Sequence, residues 1–529
     1  MLLISGIRIS LEEPNEAAVE KACSTLNISD ADISSFRLRK LSYDARHGTL
    51  AKVCSVILEL RNPLDEKKLA GTIRNATLYS PVEFSLRPGK NPMDSRPVVV
   101  GFGPAGMFAA LALAEYGYRP IVLERGQDAD SRKEKVAQFY SSGTLDQNSN
   151  VQFGEGGAGL FSDGKLTTRT NDVLCDYVLR TFTEHGADDK IMYEAKPHLG
   201  SDVLADIVKR IRGRIIGLGG EVRFESRVDD IAVRAGRLVS LTTGRERIPV
   251  QLAIFAVGHS ARDMTSLLMK RGADVTAKSF AVGLRIEHLQ SDIDRSLWGK
   301  NAGNPLLPKG EYALSTTYGG RPVYTFCMCP GGSVVAAASG RGEVVVNGMS
   351  SSLRDGRNAN GAVVASVDES EFGGDPLLCT AFQAGLEQEA YRMGGGLYAA
   401  PTSDIGSFLG GKAGLKSGRV EPSYPLGVTA ADLGKLLGPQ LADSIRFGIL
   451  EFSDKIRGFD SEDAILTGVE SRTSSPVRVL RREDRQAIGI ENLYPCGEGA
   501  GYAGGIMSSA VDGLRTATAI IEKYRPAKG

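Results

Sequence analysis

Hydrophobic and polar positions change their rhythm three times along the chain. Leu2 to Ile9 reads as a strand, and Glu16 to Leu26 carries apolar residues at helical spacing. Phe36 to Leu41 then alternates with period two, and Ala51 to Leu60 is another β-rich run. These runs predict a small N-terminal α/β domain over residues 1–88. Proline and glycine cluster between Leu86 and Pro97, where a linker is expected. From Pro97 a short buried strand, a glycine turn, an alanine-rich helix and a second strand open a doubly wound sheet. From Lys278 the chain turns β-rich. Ala281 to Ile286, Pro322 to Met328, Ser333 to Ala338, Glu343 to Asn347 and Ala362 to Val367 are short apolar runs separated by turn residues. Helical spacing returns between Leu377 and Met393 and between Ala430 and Ile456. A last glycine-rich strand–loop–helix unit runs from Leu493 to Lys523. The expected fold is α/β. A Rossmann-like, doubly wound βαβ domain occupies 95–277 and 466–529, interrupted at 278–465 by a mostly antiparallel β plus α substrate or cap domain.

Composition narrows the function. The chain has 529 residues, 42 % of them hydrophobic, with Lys+Arg and Asp+Glu at 63 each. Zero net charge argues against a generally basic nucleic-acid binder or an acidic tail protein. Glycine, 63 residues, is about 12 % of the chain against a usual share of about 7 %. That excess points to places where backbone must approach a ligand closely. Seven scattered cysteines do not make a disulfide framework. No secretory signal or apolar run of spanning length is present. A cytoplasmic protein with no membrane partner is expected.

The sharpest motif is Val98-Val99-Val100-Gly101-Phe102-Gly103-Pro104-Ala105-Gly106, followed by an uncharged helix and a strand, Pro120 to Leu123, that ends at Glu124. In this setting Gly101 permits the tight strand-to-helix turn, Gly103 admits a pyrophosphate to the backbone, and Gly106 lets helix and sheet pack closely. Pro104 suits the first helical turn, whose amides and partial positive charge face the anion. Glu124 fits the acid that accepts from ribose hydroxyls, and its charge repels a 2′-phosphate, so NADP is not expected in this site. Gly154 to Gly159 also satisfies G-x-G-x-x-G but follows no buried strand. It reads as a glycine-rich loop packed against a ligand.

A second strand and glycine turn, Leu493 to Ser508, carries Cys496-Gly497-Glu498 and Gly504-Gly505-Ile506. With these, the chain resembles the FAD-dependent oxidoreductases of the glutathione-reductase-like flavoprotein superfamily. More narrowly, it is similar to a bacterial group of uncharacterised FAD-dependent dehydrogenases or FAD-binding proteins. The resemblance is carried by Gly101 to Gly126, with Arg125 and Gly126 after the acid, by Ala256-Val257-Gly258-His259, and by Gly497-Glu498. The narrower likeness adds Glu155 to Leu166, Tyr324 to Gly332 and Glu470 to Arg478. It implies FAD as cofactor, with Gly157, Ser162, Asp163, Gly164 and Lys165 beside it, and adenine against the backbone of Val228. It further implies Glu498 on a ribitol hydroxyl and the helix from Gly505-Ile506 aimed at the flavin N1/O2 edge, where its positive end stabilises reduced flavin. NAD(P)H is expected only as a transient electron donor, because no second complete nucleotide fingerprint follows.

Catalytic chemistry is less legible. Phe161-Ser162-Asp163-Gly164-Lys165 stands where disulfide reductases of that superfamily carry a cysteine pair. Cys327 and Cys329, expected to point to opposite faces of a strand, read as packing residues ahead of a redox pair, and Cys496 as a buried one. The candidates for catalysis are Lys165, which either faces flavin N5 or caps its loop; His259, a proton donor or a loop residue; and Arg472 and Arg478. With Thr473, Ser474 and Ser475 the two arginines suit an anionic substrate or a phosphate-bearing cofactor, the alternative being a solvated edge or an internal salt bridge. The five histidines, His47, His185, His198, His259 and His288, lie far apart, and no metal site is expected. The leading expectation is an FAD-dependent oxidoreductase acting on an unidentified small molecule. One alternative is an RNA-modifying or RNA-associated FAD protein, motivated only by Arg37, Arg39, Lys40 and Arg46. The other is a flavin electron carrier or sensor. Nucleic acid is not expected as a partner.

Overall fold

The computed structural model describes residues 1–45, 50–81, 84–168 and 172–527; Arg46 and His47 fall outside them. Two compact units emerge. One joins Met1–Ser85 to Leu166–His198 and Lys300–Pro308, so it is assembled from three separate stretches of chain. Its antiparallel sheet runs, edge to edge, Ile33–Asp44, Ala51–Leu60, Leu2–Ile9 and Ala76–Leu78. The helix Ala17–Leu26 buries Ala18, Ala22 and Leu26 with Leu2, Ile4, Val56 and Leu58 of that sheet. Within the unit Arg39 pairs with Asp176 at 3.0 Å, and Arg37 lies over the Tyr79 ring.

The second unit is organised around five parallel strands in the order Leu493–Pro495, Ala253–Phe255, Val98–Val100, Ile121–Leu123, Glu221–Arg223. Both faces of the central strands are covered, so they read as uninterrupted apolar triplets. Parallel neighbours need crossover connections, and here the longest, residues 256–492 between Phe255 and Leu493, contains the whole insertion. The helix Pro104–Glu115 is buried from Ala105 to Ala114, which explains why no polar stripe marks it. Its small side chains admit a second helix, Ile506–Lys523, at very short range. A Cβ on Gly513 would lie 2.1 Å from the carbonyl oxygen of Ala105.

The insertion forms a seven-stranded sheet in the order Ser315–Tyr318, Arg321–Cys329, Asn358–Val367, Phe280–Leu289, Ile465–Glu470, Ala400–Asp404, Val428–Ala430. Only its last pair is parallel. Val282, Leu284, Ile286, Val363, Ile445, Ile449 and Phe452 share its main core. Two expected elements are redrawn. The apolar run at 430–456 breaks into Leu433–Leu437 and Pro439–Ser453 at Gly438, whose φ is +78°. The run at 343–347 becomes the strand Val346–Ser350; Val344 instead donates to the Glu387 carbonyl, and Glu343 meets Arg472 at 3.0 Å. Among the described residues no helix is long and apolar enough to cross a membrane.

Candidate functional site

Two helix starts open onto one cleft of ≈ 1490 Å³, counting its mouth. Gly103 precedes the helix Pro104–Glu115 and Gly505 precedes Ile506–Lys523, and neither start carries a side-chain cap. Their first amides and the positive ends of both helices are therefore left for a ligand. The glycines differ in purpose. Gly101 (φ +96°) has no room for a side chain, since a Cβ would lie 2.4 Å from the Ala256 oxygen. At Gly258, Gly504 and Gly505 a Cβ would meet nothing within 4 Å. These positions present bare backbone to open space.

Of the residues singled out for the cofactor, all line the cleft except Gly106, Gly126 and Gly497. Those three sit behind its wall. A Cβ on Gly106 would come 1.9 Å from the Gly101 oxygen, and one on Gly126 2.6 Å from Gly154 Cα. The Gly497 amide donates to Asp512 at 2.8 Å. Glu124 is 5 % exposed and binds protein amides. Its Oε2 accepts from Phe102 (2.8 Å), and its Oε1 accepts from Gly126 (2.9 Å) and Gly154 (3.0 Å). One carboxylate thus ties the first glycine turn to the second glycine-rich loop. That loop also donates from Gly156 to the Phe102 carbonyl at 2.9 Å. Its role beside the ligand is architectural: it forms the facing wall.

Arg132 holds this wall and was not legible in the sequence. It lies on the helix Ala129–Ser142, is fully buried, and donates to the carbonyls of Asn150, Val151, Glu155 and Gly157 at 2.7–2.9 Å. Burial lowers its guanidinium to about 10, with Glu124 and Glu155 opposing the shift. An arginine in an amphipathic helix carries no sequence mark that would distinguish it from a surface residue. Asp512 is the second omission. It receives Arg481, Arg485 and the Gly497 amide. Burial pushes its carboxyl up, but Arg481 and Arg485 outweigh this and hold it at about 2.

At the other end of the cleft, His259 Nδ1 lies 3.2 Å from Glu498 Oε1, and the Gly505 amide donates to Glu498 Oε2 at 3.3 Å. Burial raises the Glu498 carboxyl, yet His259, the Gly505 amide and Lys278 together keep it below the ordinary range. His259 Nε2 is buried with no protein partner. Lys165 donates to the Met328 carbonyl and lies 3.8 Å from Glu311. Asp163 is gripped through both oxygens by Arg354, and Ser162 braces its own loop by accepting from Gly164 at 3.1 Å.

The Arg472–Arg478 set is not assembled as an anion site. Arg472 is 6 % exposed and every guanidinium hydrogen is committed. Nε donates to Glu387, Nη1 to Ser260 and Ser339, and Nη2 to Glu343 and Glu387. Arg262 also grips Glu387 through both oxygens. The internal salt bridge is the arrangement observed. Thr473 and Ser475 donate to the carbonyls of Ala281 and Val477, and Arg478 reaches Gly501 O and the Tyr502 ring outside the cleft.

The expectation that Cys327 and Cys329 face opposite ways does not hold. Residues two apart on a regular strand share a face, and here the strand is irregular as well. Its ladder to Asn358–Val367 slips between Phe326 and Cys329, and Cys327 adopts φ +41°. The Cys329 thiol donates to the Cys327 carbonyl oxygen at 3.3 Å, and Cys327 lines the cleft. Cys496 is buried, as expected, and burial pushes its thiol up.

Comparison with known proteins gives three family matches. Residues 96–158 match an FAD binding domain, 279–473 match the C-terminal domain of FAD-dependent proteins, and 1–59 match a domain of unknown function. An uncharacterised protein of Clostridium beijerinckii is 45 % identical over 531 residues, covering 98 % of each chain. Solved structures align more distantly. L-Proline dehydrogenase from P. horikoshii is 10 % identical with a TM-score of 0.34, over 80 % of this chain and 93 % of its own. CtdE in complex with FAD is 10 % identical with a TM-score of 0.31, over 80 % and 83 %. The cleft fits FAD on its own features: two uncapped helix starts for negative charge, open glycine surface at Gly258, Gly504 and Gly505, and the unpartnered His259 Nε2.

Proposed function

We propose, from the premise that this chain belongs to the family of its Clostridium beijerinckii relative and carries an FAD binding domain and a C-terminal domain of FAD-dependent proteins, that it is an oxidoreductase exchanging a hydride or electron pair with a small molecule entering the cleft. FAD is its cofactor, and when bound it supplies the two-electron chemistry that no side chain here provides. The observation that carries the reading is the pair of uncapped helix starts, at Gly103 and Gly505, opening on one cleft.

In this reading the amides of Gly103 and Ala105 hold the diphosphate, and Glu124 keeps their turn in shape while lying beside the ribose. Val228 meets the adenine end. Glu498 takes a ribitol hydroxyl, and the start of Ile506–Lys523 places a positive helix end where negative charge accumulates on reduction. His259 is held through Nδ1 by Glu498, which leaves Nε2 to take or give a proton. Lys165, Phe326, Cys327 and Asn347 form the wall toward which substrate enters. Seven free cysteines fit a cytoplasmic setting, and NAD(P)H reaches the site only as a transient donor.

The test is anaerobic. Purified protein is loaded with FAD and screened with NADH, NADPH and a panel of small metabolites for bleaching of flavin absorbance. Bleaching by one compound names a half-reaction. Failure to take up FAD at all overturns the reading.

A further inference from the structure

We propose that Cys327 and Cys329 are a redox-active dithiol on the wall of the cofactor cleft, and that the substrate class of this protein is molecules carrying a disulfide or a pair of thiols. Cys327 is the exchanging thiol and Cys329 the resolving one. The inference rests on the FAD oxidoreductase reading and extends it to a substrate.

Four observations carry it. The first is backbone. Two residues of the Arg321–Cys329 strand stand opposite one of its neighbour at this point, and Cys327 takes φ +41°, a left-handed conformation that non-glycine residues seldom adopt. A bulge of this kind re-aims side chains beside active sites. Residues two apart on a regular strand stand about 6.6 Å apart at Cα, within the roughly 4.4–6.8 Å that a disulfide accepts.

The second is the contact itself. The Cys329 thiol turns back onto its neighbour and donates to the Cys327 carbonyl oxygen at 3.3 Å. The third is charge. Arg285 is fully buried beneath the pair, its Nη2 2.7 Å from the Cys327 oxygen and 3.4 Å from Cys329 Sγ. The fold leaves space for that guanidinium at Gly348, where a Cβ would lie 1.8 Å from Nη2. The neighbouring Cys329 side chain, with Arg285 and Lys165, holds the Cys327 thiol below its ordinary range against the opposing effect of burial. At Cys23, Cys54, Cys379 and Cys496 burial instead pushes the thiol up. Thiolate character is what thiol exchange requires.

The fourth is asymmetric access. Cys329 is wholly buried, whereas Cys327 is partly exposed and lines the cleft with Lys165, Asp163 and Asn347. In the oxidative direction two S–H bonds break and one S–S bond forms. The electron pair and one proton pass to oxidised FAD, and the second proton is released to solvent. In reverse, reduced FAD returns the pair and one proton, a second proton comes from solvent, and the S–S bond opens. The Cys327 thiolate then attacks an external disulfide and expels one thiol, and Cys329 displaces the second thiol as the Cys327–Cys329 bond re-forms.

Flavin-loaded protein, oxidised with diamide and desalted, is titrated anaerobically with dithionite. It is expected to take up two electrons per chain beyond those that bleach its flavin, and Cys329→Ser is expected to lose that extra uptake. In parallel, the peptide carrying both cysteines should resist iodoacetamide after diamide and be two hydrogen atoms lighter. Equal electron uptake by wild type and Cys329→Ser, or two alkylatable thiols after oxidation, overturns the proposal. If Cys329→Ser fails to fold, Cys327→Ser and the wild-type peptide map still decide it. A protein that binds no flavin defeats the oxidoreductase reading alone, because the peptide map remains readable.

Discussion

Replacing Glu124 with glutamine alters the charge and donor pattern of one buried side chain while leaving its size nearly unchanged. The carboxylate accepts three backbone amides, two at Oε1 and one at Oε2, at 2.8–3.0 Å. A glutamine oxygen in the Oε1 position keeps Gly126 and Gly154, but its NH₂ then faces the buried Phe102 N–H, donor against donor. A hydrogen bond to a charged group contributes about 1.5–3 kcal/mol, and an unsatisfied buried donor costs about 1–3 kcal/mol. These overlap, so Glu124→Gln is expected to destabilise the flavin-free protein by about 2–4 kcal/mol. Urea unfolding of flavin-free wild type and variant measures this as a lower midpoint with an unchanged slope. The reasoning is refuted if the flavin-free variant unfolds within about 0.5 kcal/mol of wild type and only FAD affinity falls. In that outcome Glu124 acts on the ribose and not on the loops.

Arg472→Met leaves Glu387 and Glu343 buried with Arg262 alone, and should cost about 3–5 kcal/mol in urea unfolding; a loss below about 1 kcal/mol would show that Arg262 compensates. Gly106→Ala drives a Cβ to within 1.9 Å of the Gly101 oxygen, so the carbonyl must retreat by more than an ångström. Overpacking of about 1–3 kcal/mol predicts FAD binding weaker by roughly fivefold to 140-fold, read by titration of flavin fluorescence. Asp512, held at about 2 by Arg481 and Arg485 against the opposing effect of burial, has a folded carboxyl below its unfolded value of about 3.9. Its contribution is therefore complete above pH ~4 and lost as pH falls through about 2. Asp512→Asn should lower stability at neutral pH and flatten the acid limb of the midpoint-against-pH curve; an unchanged acid limb would exclude the aspartate as its source.

Some of this protein was determined by local sequence alone. A three-residue apolar strand, a glycine turn and an alanine helix can be satisfied by few conformations, so Val98 to Glu115 and Leu493 to Lys523 were readable from backbone sterics and periodicity. The near-neighbour motif also marked the cleft, since glycine is required where backbone must approach a ligand. Partners hundreds of residues apart left no such trace. That Arg472 closes an ion cluster with Glu343 and Glu387, that Arg132 gathers the carbonyls of the second glycine loop, and that Asp512 secures Gly497 are consequences of burial. A lone charge is tolerated inside only where the fold brings its counter-charge or carbonyls to it. The cysteine pair was decided the same way: a one-residue slip of the ladder at Phe326 to Cys329, set by strand pairing with residues 360–362, brought the Cys329 thiol onto the Cys327 carbonyl, with one buried guanidinium reaching both residues.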